Sequence, residues 1–78
     1  PPPPARVVQV TQAVTIATDQ FRFAQDFKGL EVLEQAGTLI GHDGEAPVVT
    51  PYERCILIMP SRRLTKGGTA VRLGRFVS

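Results

Sequence analysis

Two stretches of this 78-residue chain gather side chains whose types and spacing could do chemistry: His42-Asp43-Gly44-Glu45, and Thr50-Pro51-Tyr52-Glu53-Arg54. One histidine and two acids within four residues resemble a metal cluster. On a hairpin tip, however, they do not converge on one ion, and the chain has no second histidine for a catalytic zinc site. They read as a solvated turn. Cys55 is the only cysteine, which rules out an internal disulfide and a cysteine-based zinc site. In an apolar run it reads as a buried, intracellular thiol. A nucleophile–base apparatus needs partners placed in space, and one histidine with one core cysteine does not supply it. The sequence therefore assigns no catalytic residue and no metal ligand within these 78 residues.

Lys28 and Lys66 are the only lysines. A biotin or lipoate carrier presents its lysine at a hairpin tip between characteristic neighbours, and neither lysine has them. The basic run from Arg62 to Arg75 invites a nucleic-acid reading, but single-strand binders interleave basic grooves with stacking aromatics, and only Phe76 lies nearby. We expect no nucleic-acid partner. Tyr52 and Arg54 stand apart. In a polar knuckle directly before a core strand, a phenol and a guanidinium have a fixed base and a polar end, which suits contact with a substrate carboxylate. The competing reading is a rim tyrosine beside an ordinary salt bridge.

The elements that must position these residues are short strands. Residues 7–17 are rich in β-branched side chains, with Val8, Val10, Val14 and Ile16 on one face and a bulge expected near Gln12. Phe21, Phe23 and Phe27 share a face of a second strand. Residues 30–36 are too short for a stable helix between glycines, and a strand or irregular turn is favoured. Asp43-Gly44 between Leu39-Ile40 and Val48-Val49 predicts a hairpin with a type I′ turn. Residues 55–59 are apolar on both faces and predict the central, doubly covered strand. In residues 69–76 the apolar parity shifts after Gly74, which predicts a glycine bulge.

Residues 33–40 and 64–71 repeat a pattern of Leu, Gly, Thr and aliphatic positions. Two β halves related by a pseudo-two-fold would produce it. The fold expected is all-β, a small barrel-sandwich of the biotinyl/lipoyl kind with little or no helix.

Hydrophobic residues make up 42% and charged residues 21% of the chain, the composition of a folded domain. The net charge of +2 is unevenly spread: residues 1–53 carry three basic and seven acidic side chains, residues 54–78 six basic and none acidic. Such asymmetry marks an anionic partner unless interleaved strands cancel it, and a solvated, locally paired face is favoured. No apolar run approaches the roughly 18 residues that span a bilayer, and no charged-then-apolar leader is present. A cytoplasmic protein without membrane contact is expected. Pro1–Pro4 favour an extended polyproline conformation, so residues 1–5 read as a proline-rich linker and residues 6–77 as a domain of a longer protein. Edge strands and apolar surface left open by such an excision would promote self-association.

The order Gly37-Thr38-Leu39-Ile40-Gly41, His42-Asp43-Gly44-Glu45, Pro51-Tyr52-Glu53, Met59-Pro60 and Gly67-Gly68-Thr69-Ala70-Val71-Arg72-Leu73-Gly74 resembles the C-terminal β domain of the succinylglutamate desuccinylase/aspartoacylase family. The resemblance covers about residues 20–76. It implies that the parent is a zinc-dependent amidohydrolase acting on an N-acyl amino acid, with zinc and the catalytic glutamate in an N-terminal domain absent here. That domain would be this chain's partner. The resemblance also implies that this domain narrows the active-site mouth and that Tyr52 matches the tyrosine lent to the substrate. The residues around these motifs are not close to either named enzyme, which leaves the acyl substrate open. Arg54 is left between a substrate carboxylate and Glu53. The alternative is a non-catalytic β-barrel interaction or carrier-like module.

Overall fold

A computed structural model of the chain describes residues 7–77; the linker assigned to residues 1–5 lies outside them. Seven strands and no helix occupy the described residues: β1 (Val8–Thr15), β2 (Phe21–Phe23), β3 (Val32–Leu33), β4 (Leu39–Asp43), β5 (Ala46–Val49), β6 (Cys55–Ile58) and β7 (Thr69–Phe76). They form two antiparallel sheets, one in the order β1-β7-β6-β3 and the other in the order β2-β4-β5. The all-β expectation holds, as a small sandwich.

Both sheets contribute to one core. Ile40 from β4, Cys55 and Leu57 from β6, and Val71 and Leu73 from β7 are buried with Phe27, and Val14, Val48 and Tyr52 pack against them. Ile16, Phe21 and Ala70 extend it. Phe23 stands edge-on to Phe21 at 5.3 Å and to Phe27 at 5.9 Å, contacts worth about 0.5–1.5 kcal/mol each beyond their burial. Strand β6 lies between β7 and β3, as its two apolar faces require, and Cys55, Ile56 and Leu57 are all buried. The expected strand is shorter at its end: Met59 is 74% exposed, on backbone with φ 51°. The second strand also stops early, at Phe23, while Phe27 reaches the core from a loop. Residues 30–36 form the two-residue β3 and a turn, not a helix.

The bulge expected near Gln12 is present, whereas the one expected at Gly74 is not. Along β1 and β7, Val10 faces Gly74 and Gln12 faces Leu73, so Thr11 is the extra residue and the bulge lies on β1. Strand β7 keeps a regular ladder to β6 through Gly74. Gly74 is required for another reason. A Cβ there would lie 2.8 Å from the Ile58 side chain, 2.9 Å from the Gln9 carbonyl and 3.0 Å from Val8. The bulge also splits the apolar face predicted for β1. Val14 sits beside the core residue Val71, whereas Val10 shares the opposite face with Gly74 and is 51% exposed.

The β4–β5 hairpin turns one residue later than expected. Asp43 pairs with Ala46, so Gly44-Glu45 forms the two-residue loop. Of these only Gly44 has a positive φ, 64°. That is the requirement of a type II′ turn, not of type I′. The repeated phrases each open one strand, β4 in one sheet and β7 in the other, and place Ile40 and Val71 fully buried at matching positions.

Candidate functional site

The knuckle that carries Tyr52 and Arg54 is clamped at both ends to residues 34–38. Thr50 is buried: its hydroxyl accepts the Thr38 N–H at 2.9 Å and donates to the Gln35 carbonyl at 2.9 Å. Its backbone exchanges bonds with Gly37 and Thr38, and the Arg54 N–H donates to the Glu34 carbonyl at 3.0 Å. Between these clamps Arg54 takes a left-handed φ of 55°. For a non-glycine residue that conformation costs about 1–2 kcal/mol.

Tyr52 is half-buried against the core, and its hydroxyl lies 2.6 Å from Thr11 Oγ1. The Thr11 hydroxyl in turn donates to the Leu73 carbonyl at 3.3 Å. Either hydroxyl can donate in the Tyr52–Thr11 contact; with the Thr11 proton on the Leu73 carbonyl, the phenol donates to Thr11. The bulge in β1 thus has a use, because it delivers Thr11 to Tyr52.

Tyr52 and Arg54, the two residues singled out from the sequence, line one cavity of about 320 Å³ together with Glu53, Arg75 and Phe76. Arg75 and Phe76 come from the far end of β7. Continuing the β6–β7 register one step past Ile56↔Gly74 sets Cys55 opposite Arg75, which brings β7's end beside the knuckle. Sequence reasoning missed Arg75 and Thr11. In the sequence Arg75 reads only as part of a basic run, and no local signal ties it to the knuckle.

The choice left open for Arg54 is narrowed here. The only ion pair among the described residues is Lys28 with Asp26, at 2.6 Å and exposed. Glu53 makes no ion pair with Arg54 or Arg75, and neither guanidinium has a hydrogen-bond partner among the described residues. Among the described residues the basic third of the chain forms no ion pair, although Arg62 lies near enough to Asp26 to help Lys28 lower its carboxyl.

Cys55 is fully buried beneath the knuckle. Burial pushes its thiol up, and the Tyr52 hydroxyl and Gly74 backbone offset this only in part. A thiol of that kind is inert. Asp43 corrects the solvated-turn reading. It is 9% exposed, and its carboxylate accepts the Ala17 N–H at 2.7 Å, the Thr18 N–H at 2.9 Å and the Thr18 hydroxyl at 2.7 Å. These bonds, that of Ala17 foremost, hold its carboxyl below the usual aspartate range against the opposing effect of burial. With both oxygens so engaged, and with neighbours His42 and Asp43 on opposite faces of β4, the cluster does not fit a zinc ion. No group of three His, Cys, Asp or Glu among the described residues could hold one.

A second cavity of about 280 Å³ lies at the other end of β6, where Asp26, Lys28 and Arg62 meet Phe23, Phe27 and Pro60. Both its cations act on Asp26: Lys28 is paired with it at 2.6 Å, and Arg62 also helps lower its carboxyl. No helix of the described residues is long and apolar enough to cross a membrane. No family model matches the chain, and no curated protein or solved structure is significantly similar to it.

Proposed function

We propose that the chain is an accessory C-terminal β domain of a cytoplasmic zinc-dependent amidohydrolase that deacylates N-acyl amino acids. The zinc and the general base would belong to a partner domain of the same protein. The observation that supports this reading is the shared cavity of Tyr52 and Arg54, with Arg54 in no ion pair among the described residues. An N-acyl amino acid carries a carboxylate one carbon away from its amide N–H. Arg54 donates to the carboxylate, and the Tyr52 oxygen, its own proton held by Thr11, accepts the amide N–H. The domain thereby orients the substrate at the entrance and performs no chemical step itself.

The test compares this chain with the longer protein for zinc content and for hydrolysis of N-acyl amino acids. Zinc and activity in the longer protein alone are expected. There, Arg54→Gln raises KM by about 10- to 100-fold with a smaller effect on kcat, the loss of one charge-assisted hydrogen bond. A longer protein with neither zinc nor hydrolysis removes the reading. In its place would stand a non-catalytic interaction module, which one observation favours: Leu30 and Met59, 73% and 74% exposed, are held outward on left-handed backbone at one end of the β3–β6 pair.

A further inference from the structure

We infer that Arg75 is the second arm of the knuckle cavity and that Arg54 and Arg75 together clamp the carboxylate of a ligand with an apolar body. The inference uses the same cavity as the reading above, but not the family resemblance, and applies to this chain by itself.

Three observations carry it. Two arginines from separate parts of the chain line one cavity, and among the described residues neither pairs with Glu53, the one acid named in its lining. Two cations facing one space repel each other, and an anion between them turns that repulsion into attraction. Each arm, moreover, is rooted in a fixed stretch of backbone. Arg54 follows the clamped knuckle, with its N–H on Glu34. Arg75 follows Gly74, where the close approach of Ile58, Gln9 and Val8 leaves no room for a side chain and locks β1, β7 and β6 together. Pre-positioned roots reduce the ordering that binding would require. Lastly, the lining also includes the aromatic residues Tyr52 and Phe76. They suit a hydrocarbon chain and leave a sugar phosphate or a fully hydrated anion without contacts along its length.

A planar guanidinium fork matches a carboxylate in two parallel hydrogen bonds. A ligand with one carboxylate and a short hydrocarbon chain would place the head between the arginines and the chain along the rings. Arg72, also on β7 and exposed, faces Ala13 and Ile58 across the ladders and does not line the cavity. It serves as the internal control.

The experiment is a titration of the isotopically labelled 78-residue chain with hexanoate, followed through the arginine Nε–Hε and backbone amide resonances. Saturable shifts are expected at Arg54, Arg75 and Phe76, weaker for acetate and absent for hexylammonium. Arg75→Gln and Arg54→Gln should each weaken hexanoate binding about tenfold or more, the loss expected for one charge-assisted contact, while Arg72→Gln leaves it unchanged. The amide dispersion of each variant reports whether it is folded. Should Arg75→Gln fail to fold, Arg75→Lys, which keeps the charge without the fork, is expected to bind more weakly than the parent. Absent shifts overturn the inference, as does binding insensitive to both Arg75 variants or binding of inorganic phosphate as tight as that of hexanoate. Hexanoate binding beside a zinc-free longer protein would retire the enzyme reading and keep this one. Zinc-dependent hydrolysis together with an inert Arg75 would do the reverse.

Discussion

The hydroxyl of Tyr52 serves the fold as well as the cavity, and the two roles separate by mutation. Its bond to Thr11 joins the knuckle to the bulged edge strand. Tyr52→Phe and Thr11→Val are each expected to lower stability by about 0.5–1.5 kcal/mol, the range for one hydrogen bond. The double variant should lose less than the sum of the two, because both remove the shared contact, although Thr11→Val also removes the bond to the Leu73 carbonyl. Urea unfolding of the four proteins measures this, and additive losses would mean that the contact is not formed. Under the proposed function the pair would diverge in a longer protein: Tyr52→Phe keeps the ring and removes the phenol oxygen, whereas Thr11→Val leaves that oxygen in place. A fall in kcat/KM confined to Tyr52→Phe would assign the phenol to the substrate.

Among the elements, the three-stranded sheet depends on one close approach. Gly41 on β4 pairs with Phe23 of β2, and a Cβ there would fall 2.3 Å from the Arg22 carbonyl oxygen. That neighbour is backbone and cannot rotate away. Gly41→Ala is therefore expected to cost about 3 kcal/mol, the upper end of the usual range for overpacking. It should also open the bonds that flank the β2–β4 pair. Amide exchange at Ala24 and Gly44, which donate to the Ile40 and Gln20 carbonyls, would accelerate ahead of the β6–β7 ladder. Uniform acceleration of both sheets would instead mean that β2–β4 does not open separately.

For the molecule as a whole, Asp43 links the two layers. It lies at the end of β4 and holds Ala17 and Thr18, in the connection by which the chain leaves the β1 sheet for the β2 sheet. Because the folded state lowers its pKa, the unfolded chain takes up protons first as pH falls. The stabilisation is complete above the unfolded aspartate value of about 4 and disappears as pH drops through the lower folded value. Glu31, lowered chiefly by its bond from the Lys28 N–H, has the same sign. Stability should thus be level from neutral pH down to about pH 5 and fall steeply below about 4. Asp43→Asn should lower the neutral urea midpoint and flatten that acid limb. An unchanged acid limb in the variant would rule Asp43 out as its source.

How much of this the sequence determined depends on how local the causes are. Alternating β-branched runs, the glycine-flanked hairpin and an apolar segment long enough for one buried strand sufficed for an all-β domain with a buried strand from Cys55, though not for that strand's end, since Met59 is exposed. The knuckle, too, was legible, because Tyr52 and Arg54 lie two residues apart directly before that strand. Only the tertiary structure decided which side of a ladder holds the bulge, since Gly74 and Thr11 are 63 positions apart in the chain and adjacent only in register. It alone turned Asp43 from a turn residue into a tie between sheets and brought Arg75 to Arg54. Strand pairing joins residues that sequence spacing keeps apart, and the chemistry of this cavity depends on such a pairing.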